Sequence, residues 1–441
     1  MNMLNEQLVL DSLRHIIDPD FKKDIVTLGF VKNIKISGAD VVFDIVLTTP
    51  ACPVKEEFRS QAEKAVIALD GVRTVKVNMT SQPVPAAQPQ GMGGSNPLSK
   101  VGAIVAISSC KGGVGKSTMA AAIAQELAQR GYKVGLLDAD IHGPSVPTLF
   151  NLAQTSVHVN ERQQLVPVDV GGLKLMSFGF LLGDAPAVMR GPIVTRYVQQ
   201  LLFNVAWGEL DYLFIDMPPG TGDVQLTITQ SVKLSGAVIV TTRQSLSLVD
   251  VSRGILMFER VNVPILGVIE NMSYFVCDSC DKKHYIFGES HTHSLQERFG
   301  IPILAEIPLL PRLIGTFDTY TANSFIQNAV DNTIRAVGKA SIEDKAVPVV
   351  TFDAKAVTLK WNNGRVWKVA NRDLRASCQC ALCINEMTGK QMLDPSKIKS
   401  DIAPTQISPL GNYAIGVTWN DGHSSGIYPY ARIKELSEAR R

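Results

Sequence analysis

Residues 101–130 read VGAIVAISSCKGGVGKSTMAAAIAQELAQR, and this stretch decides the architecture. Residues 101–109 are apolar and β-branched, as a buried strand requires, and residues 118–130 suit a helix that Gly131 stops. Between them, Gly112, Gly113 and Gly115 let successive backbone N–H groups turn inward on a polyphosphate, and the helix N-terminus adds its positive dipole end. Measured against G-x-x-x-x-G-K-[ST], Cys110 stands where the first glycine belongs and the rest is complete. Lys116 then meets the β- and γ-phosphates of ATP, Ser117 is placed to ligate Mg²⁺, and Val114 and Thr118 complete the cradle. A glycine-rich turn before an ordinary helix has no need of the lysine and the hydroxyl together.

Two further apolar runs end in carboxylates. Residues 133–138 (KVGLLD) lead to Asp138-Ala139-Asp140, and residues 212–216 (YLFID) lead to Asp216 and the run MPPGTGD. In an open parallel sheet the ligand crevice lies at the carboxyl ends of the strands, so acids there can hold Mg²⁺ or its waters and orient an attacking water. Asp138 and Asp140 are expected to activate water near the γ-phosphate, and Asp216 to support the metal. A strand-end aspartate is often only a loop cap; three beside a phosphate loop form a site.

Lys111, just inside the loop, resembles the lysine of the deviant P-loop family that includes the nitrogenase iron protein, the MinD and ParA positioning ATPases and the Mrp/ApbC proteins. The resemblance implies that Lys111 reaches the nucleotide of a second copy, so that hydrolysis requires a homodimer. The segments LDADIHGPSVP (137–147), MRGP (189–192), DMPPGTGD (216–223) and ENMSYFVCDSC (270–280) are similar to the Mrp/ApbC branch of iron–sulfur cluster carriers. That likeness places Asn271 near the adenine. It is broken at Thr241-Thr242-Arg243-Gln244, because the branch usually has proline where Arg243 stands.

Cys277 and Cys280 form a C-x-x-C pair, which by spacing alone serves a redox disulfide, half a zinc knuckle or half a cluster site. The family likeness implies that the pair meets its copy across a dimer axis, giving four thiolates for one [4Fe–4S] cluster. Zinc held with His284, or with His291 and His293, is the rival, and simple packing a third reading. Further on, Cys378, Cys380 and Cys383 (C-x-C-x₂-C) precede His423 in WNDGH. Three cysteines and a histidine suit a tetrahedral Zn²⁺ closed to substrate, with a second cluster site as the alternative. Residues 350–441 also carry LKWNNGRVWKV and IGVTWNDGH, which read as short strands with turns at Asn-Gly and Asp-Gly. The region resembles the zinc domain at the front of γ-butyrobetaine hydroxylases, appended to Mrp-type proteins in the subfamily typified by the plastid photosystem I assembly factor.

The chain of 441 residues, 45% hydrophobic and 19% charged, exceeds one core and can fill two or three. Residues 82–99 (QPVPAAQPQGMGGSNPLS) lack apolar period and read as a flexible linker. Before them an αββαβ order is expected, with helices over 4–17 and 53–69 and strands over 31–35, 41–47 and 72–78. That unit, with Asp18-Pro19-Asp20 and Cys52, is similar to the small domain of many iron–sulfur assembly factors; Cys52 reads equally as a transfer thiol beside a helix N-terminus or as a buried loop cysteine. Residues 300–311 (GIPILAEIPLLP) read as a last strand and a nucleotide-side loop.

The expected fold is therefore an α/β P-loop NTPase with a mainly parallel sheet (100–345), flanked by a small N-terminal α+β domain (1–81) and a small β-rich zinc domain (350–441). A net charge of +2 favours neither nucleic acid nor a membrane surface. No apolar run approaches a membrane span, and the N-terminus has no signal-peptide pattern, so membrane insertion is not expected. The expected compartment is the cytoplasm, or a plastid or other organelle stroma if a leader is missing; seven clustered cysteines favour metal over disulfides there. An ATPase that carries clusters from scaffold proteins to apo iron–sulfur proteins is the first reading. A MinD- or ParA-like positioning ATPase and a zinc-stabilised nucleotide-switch adaptor are the others. A MinD-like chain should end in an amphipathic membrane helix and a ParA-like one should be strongly basic; residues 432–441 and the net charge meet neither expectation.

Overall fold

The computed structural model describes residues 4–81, 97–141, 143–182, 191–220, 222–243, 248–277, 279–286, 300–309, 323–343, 348–361, 365–380, 382–384, 391–410 and 414–438. His291, His293, Gln244, Thr221 and the first two residues of the MRGP motif lie outside them.

The N-terminal unit begins with helix Glu6–Leu13, followed by the two-residue strands β1 (Ile17–Asp18) and β2 (Lys23–Asp24), then β3 (Val31–Ser37), β4 (Asp40–Leu47), helix Lys55–Ile67 and β5 (Thr74–Ser81). The first helix is shorter than residues 4–17. Asn5 caps it by accepting from the Leu8 N–H at 2.9 Å, and the Asp18 carboxylate accepts from the amides of Asp20 and Phe21 at 2.8 and 3.0 Å, folding the Asp-Pro-Asp segment into a turn. β4 alternates half-buried and buried residues along its length, and β3 and β5 pair with it antiparallel and parallel respectively.

The central unit contains β6 (Val101–Ser108), β7 (Val134–Asp138), β8 (Val168–Val170), β9 (Leu173–Ser177), β10 (Leu210–Asp216), β11 (Gly236–Thr242), β12 (Ile265–Asn271), β13 (Phe275–Val276), β14 (Lys283–His284) and β15 (Ile303–Glu306). Eight of these form one sheet in the order β15-β12-β11-β6-β10-β7-β9-β8, parallel except for the β8–β9 pair. β7, β11 and β12 are buried along their whole length and β10 everywhere but at Asp211, as strands covered on both faces must be. The chain runs from β6 to β7 on one side of β10 and later returns to β11 on the other side of β6, so the crevice opens at the end of β6. Pro97–Lys100, at the end of the stretch read as a linker, is a 3₁₀ turn whose Leu98 is buried in the central core.

The C-terminal unit has two three-stranded antiparallel sheets, β16 (Val349–Phe352) with β17 (Ala356–Lys360) and β18 (Val366–Ala370), and β19 (Pro404–Leu410) with β20 (Ala414–Trp419) and β21 (Gly426–Pro429). Its core includes Cys378, Cys383, Trp419 and Tyr428.

The units touch. The Tyr212 hydroxyl accepts from the Ala51 N–H at 3.2 Å, Lys339 meets Asp20 at 3.2 Å, and a Cβ on Gly338, inside helix Ser324–Glu343, would lie 2.6 Å from Thr48 Oγ1. These contacts lie on the side of the sheet where the strands begin, away from the phosphate loop.

Candidate functional site

β6 delivers the glycine loop to the head of helix Lys116–Gln129, two residues earlier than the apolar pattern alone placed that helix. Gly113 and Gly115 have φ of 79° and 80°, a region costly for residues with a Cβ. A Cβ on Gly112 or Gly113 would meet nothing within 4 Å, so this side of the loop is an open cradle. At Gly115 the same Cβ would lie 2.3 Å from Asn271 Nδ2, which donates to the Val114 carbonyl at 2.9 Å. Asn271, at the end of β12, thus braces the loop from behind. No side chain caps the helix, which leaves its first amides for a ligand.

Lys116 is 6% exposed and forms an ion pair with Asp216, itself fully buried; Lys116 Nζ also lies 3.2 Å from Ser117 Oγ. The second Asp216 oxygen has no hydrogen-bond partner among the described residues. A buried carboxylate oxygen left over beside a serine hydroxyl supplies oxygen ligands of the kind a hydrated Mg²⁺ takes, so the residues fit that ion. In sheet register Asp216 sits beside Asp138, and Asp138 beside Ser177. Asp138 accepts from the amides of Asp140 and Val146 at 3.1 and 3.2 Å and from Ser177 Oγ at 3.0 Å. Burial, and secondly the Asp216 charge, push Asp138 up to about 7. Burial also raises Asp216, against the pull of Lys116. Asp140 is half-buried and Lys111 is exposed. The fold therefore brings Gly112, Gly113, Val114, Gly115, Lys116, Ser117, Thr118, Asp138, Asp140, Asp216 and Asn271 to one corner.

Two residues of this corner escape motif reading. Ser177 completes the hold on Asp138, and its only signal is a polar residue at a strand end. Gln225, fully buried, donates to the Pro218 carbonyl and lies 3.5 Å from Ser108 Oγ, bracing the Met-Pro-Pro segment. Nothing in the local pattern marks it.

Cys277 and Cys280 sit at the tip of the β13–β14 hairpin, where the Cys277 N–H donates to the Lys282 carbonyl at 3.0 Å and the Asp281 N–H to the Cys277 carbonyl at 2.9 Å. Cys280 is exposed and Cys277 half-buried. His284, opposite Phe275 in register, is exposed and does not join them in a group of three or more metal-ligating atoms among the described residues.

The C-terminal cysteines form such a group. Sγ of Cys378, Cys380 and Cys383 lie 3.3, 3.5 and 4.0 Å from His423 Nε2, and the four ligand atoms are within 4.8 Å of one another. A tetrahedron with Zn–S and Zn–N bonds of about 2.3 and 2.0 Å has edges of about 3.5–3.8 Å, so the set fits zinc. Gly422, at φ 86°, turns β20 back toward the cysteines, and Asp421 accepts from the His423 N–H at 3.0 Å. Arg375 donates to Asp421 at 2.9 Å and to Cys383 Sγ at 3.4 Å. Hydrogen bonds from Cys378 and then Cys383 drive the Cys380 thiol down, toward the thiolate that a metal takes.

Cys52, read equally as a transfer thiol or a buried loop cysteine, lies just before helix Lys55–Ile67. The thiol is half-buried, and burial, its largest influence, raises its pKa.

Three family descriptions match along the chain: an iron-sulfur cluster assembly protein over residues 6–78, the NUBPL iron-transfer P-loop NTPase over 100–342, and the γ-butyrobetaine hydroxylase-like N-terminal domain over 349–434. The chain is similar to the "Fe-S cluster assembly factor HCF101, chloroplastic" of Arabidopsis thaliana, 42% identical over 98% of this chain and 83% of that protein. It is also similar to the "Iron-sulfur cluster carrier protein" of Synechocystis sp., 45% identical over 70% of this chain and 88% of that one. A solved nucleotide-binding protein from Archaeoglobus fulgidus, in complex with ADP, is 40% identical, with a TM-score of 0.44 over 56% of this chain and 90% of its own. With the phosphate loop, the strand-end acids and near full-length identity in agreement, the chain belongs to the NUBPL iron-transfer P-loop NTPase family.

Proposed function

We propose that this protein is an ATP-hydrolysing iron–sulfur cluster carrier that takes a [4Fe–4S] cluster on Cys277 and Cys280 and passes it to apoproteins. The observation that carries the reading is an accessible tip presenting two thiols, on a hairpin that only three residues separate from the strand whose Asn271 braces the phosphate loop. Two thiolates cannot fill the four iron positions of such a cluster, so a second copy supplies the other pair, and a cargo held at a two-fold surface stays accessible to a recipient. The relatives' names, carrier and assembly factor, agree.

ATP phosphates would lie on the amides of Gly112 to Ser117 with Lys116 turning from Asp216 to the β- and γ-phosphates. Ser117 and Asp216 would hold Mg²⁺, which neutralises charge on the transferred phosphoryl group. Asp138, locked by three donors, orients the segment that carries Asp140, and Asp140, the more accessible acid, positions the attacking water. Lys111 is exposed, as a residue acting on a second copy's nucleotide must be. Cys378, Cys380, Cys383 and His423 would hold a structural Zn²⁺. Upstream scaffold proteins and apo iron–sulfur proteins are the partners. The reading needs no nucleic acid and no membrane, and no described helix is long and apolar enough to cross one. The compartment is the cytoplasm or an organelle stroma, the latter in keeping with the chloroplastic relative.

Anaerobic reconstitution of the full chain with iron and sulfide tests this. The expected result is about four irons and four sulfides per two chains, lost in Cys277→Ser, with about one zinc per chain retained. Zinc at both cysteine sets and no sulfide would replace the carrier by a zinc-stabilised nucleotide-switch adaptor.

A further inference from the structure

Arg243 follows directly on β11 and is 7% exposed, an unusual place for a guanidinium. Its Nε pairs with Glu270, and Nη2 lies 3.8 Å from Glu306 Oε1, so it reaches across the ends of β12 and β15. Glu270 immediately precedes Asn271, the residue that braces the phosphate loop. The carbon of the same guanidinium lies over the Tyr285 ring, 4.4 Å from its centroid. Tyr285 follows β14, the second leg of the thiol hairpin, and its ring meets Tyr274 edge-on at 5.9 Å; Tyr274 precedes the first leg and is buried. Tyr274 is in turn covered by Lys283 Nζ at 4.4 Å and abuts Phe325 at 6.4 Å. The two legs of the hairpin are therefore gathered into one aromatic pair, and a buried cation joins that pair to the sheet.

Burying a charge pair is no route to stability, since apolar residues of similar volume generally serve as well. What a guanidinium adds is direction: a planar fork for two carboxylates and a face for a ring, both set by one side chain. We infer that Arg243 is a positioning residue that ties the Cys277/Cys280 hairpin to the nucleotide-side end of the sheet, so that the pose of the two thiols follows the strand end bracing the phosphate loop. The inference rests on the carrier reading only for what the hairpin carries. The link between nucleotide and thiols is a property of the protein without cargo.

The test uses the full chain without cluster, either nucleotide-free or saturated with Mg²⁺ and a non-hydrolysable ATP analogue. The readouts are amide hydrogen exchange over residues 275–286 and the alkylation rates of Cys277 and Cys280 by peptide mass spectrometry, compared for wild type, Arg243→Met, Arg243→Lys and Tyr285→Leu. In wild type the nucleotide should change both readouts. In Arg243→Met and Tyr285→Leu the hairpin should exchange about tenfold faster and lose that dependence, while analogue affinity moves less than about threefold. Arg243→Lys, which keeps the charge and loses the fork, should fall between. If Arg243→Met does not fold, Tyr285→Leu decides alone, because it removes the stacking face on an accessible leg and leaves the buried ion pair. A wild-type hairpin indifferent to nucleotide, or variants that respond as wild type does, would overturn the inference. A chain that retains no iron and sulfide yet shows the coupled hairpin would overturn the carrier reading and leave this one standing.

Discussion

The two cysteine sets differ in how many ligands one chain can bring together. At the C-terminal site three cysteines from one turn and a histidine from the β20–β21 turn converge within 4.8 Å, with Cys378 and Cys383 buried in the unit's core. At the β13–β14 hairpin two cysteines stand at an accessible tip without a third ligand among the described residues. A closed set of four holds an ion for good, whereas an open pair must borrow ligands and can therefore give its cargo up.

The sharpest contrast is in folding. Cys383→Ser should remove zinc and unfold the C-terminal unit, seen as loss of Trp419 and Trp361 fluorescence structure and as rapid proteolysis beyond residue 349, because a structural zinc site carries folding energy. Cys280→Ser, at an exposed tip, should leave the unfolding midpoint within about 1 °C of wild type. Equal damage from the two substitutions would erase the distinction between closed and open sites.

Next in size is the response to nucleotide. Gly115→Ala forces a Cβ to 2.3 Å from Asn271 Nδ2 at a φ of 80°, so ATP affinity should fall on the order of a hundredfold, by calorimetry, with zinc content unchanged. Zinc lost together with nucleotide binding would show that the two regions are not independent.

A smaller effect is expected from Arg375→Ala, which removes the donor to Cys383 and to the Asp421 carboxylate that orients His423. Competition with a chromophoric chelator should show zinc held about tenfold less tightly.

The smallest concerns pH. Asp138 and Asp216 are both raised, and a carboxyl raised in the folded state favours folding while it stays protonated. That contribution is whole below the ordinary value of 3.8 and is lost as pH rises through the folded value of about 7. The nucleotide-free unfolding midpoint of the central unit should drop on the order of 5 °C between pH 5.5 and about 8, with a flatter profile in Asp138→Asn and in the presence of Mg²⁺ and nucleotide. The zinc unit, which lacks a buried acid pair of this kind among its described residues, should not share the slope.

How much of this was legible follows from how local each feature is. The phosphate loop, its flanking strand and helix, and the strand-end acids are contiguous, so their chemistry is readable from order and spacing. Even so, the pairing of Lys116 with Asp216 joins residues a hundred positions apart and appears only in the fold. Ser177 and Gln225 were invisible for the same reason. Arg243 was visible only as a departure from a resemblance; its partners come from β12, β15 and the thiol hairpin, and no window of sequence contains them. At Cys52 the local sequence left a transfer thiol and a buried loop cysteine even, and only the fold shows that burial raises its pKa.

The sequence by itself determined the strand–loop–helix unit, the acids at the strand ends and the number of thiols each motif can offer, because these depend on backbone propensity and on residues that are neighbours in the chain. Tertiary structure alone decided that Asn271 braces Gly115 and that a buried arginine connects the thiol hairpin to the sheet, and it brought His423 to the three cysteines that the sequence had grouped with it. Those arrangements depend on which strand ends are adjacent, and that adjacency is set by burying apolar faces on both sides of the sheet, a property of the whole chain.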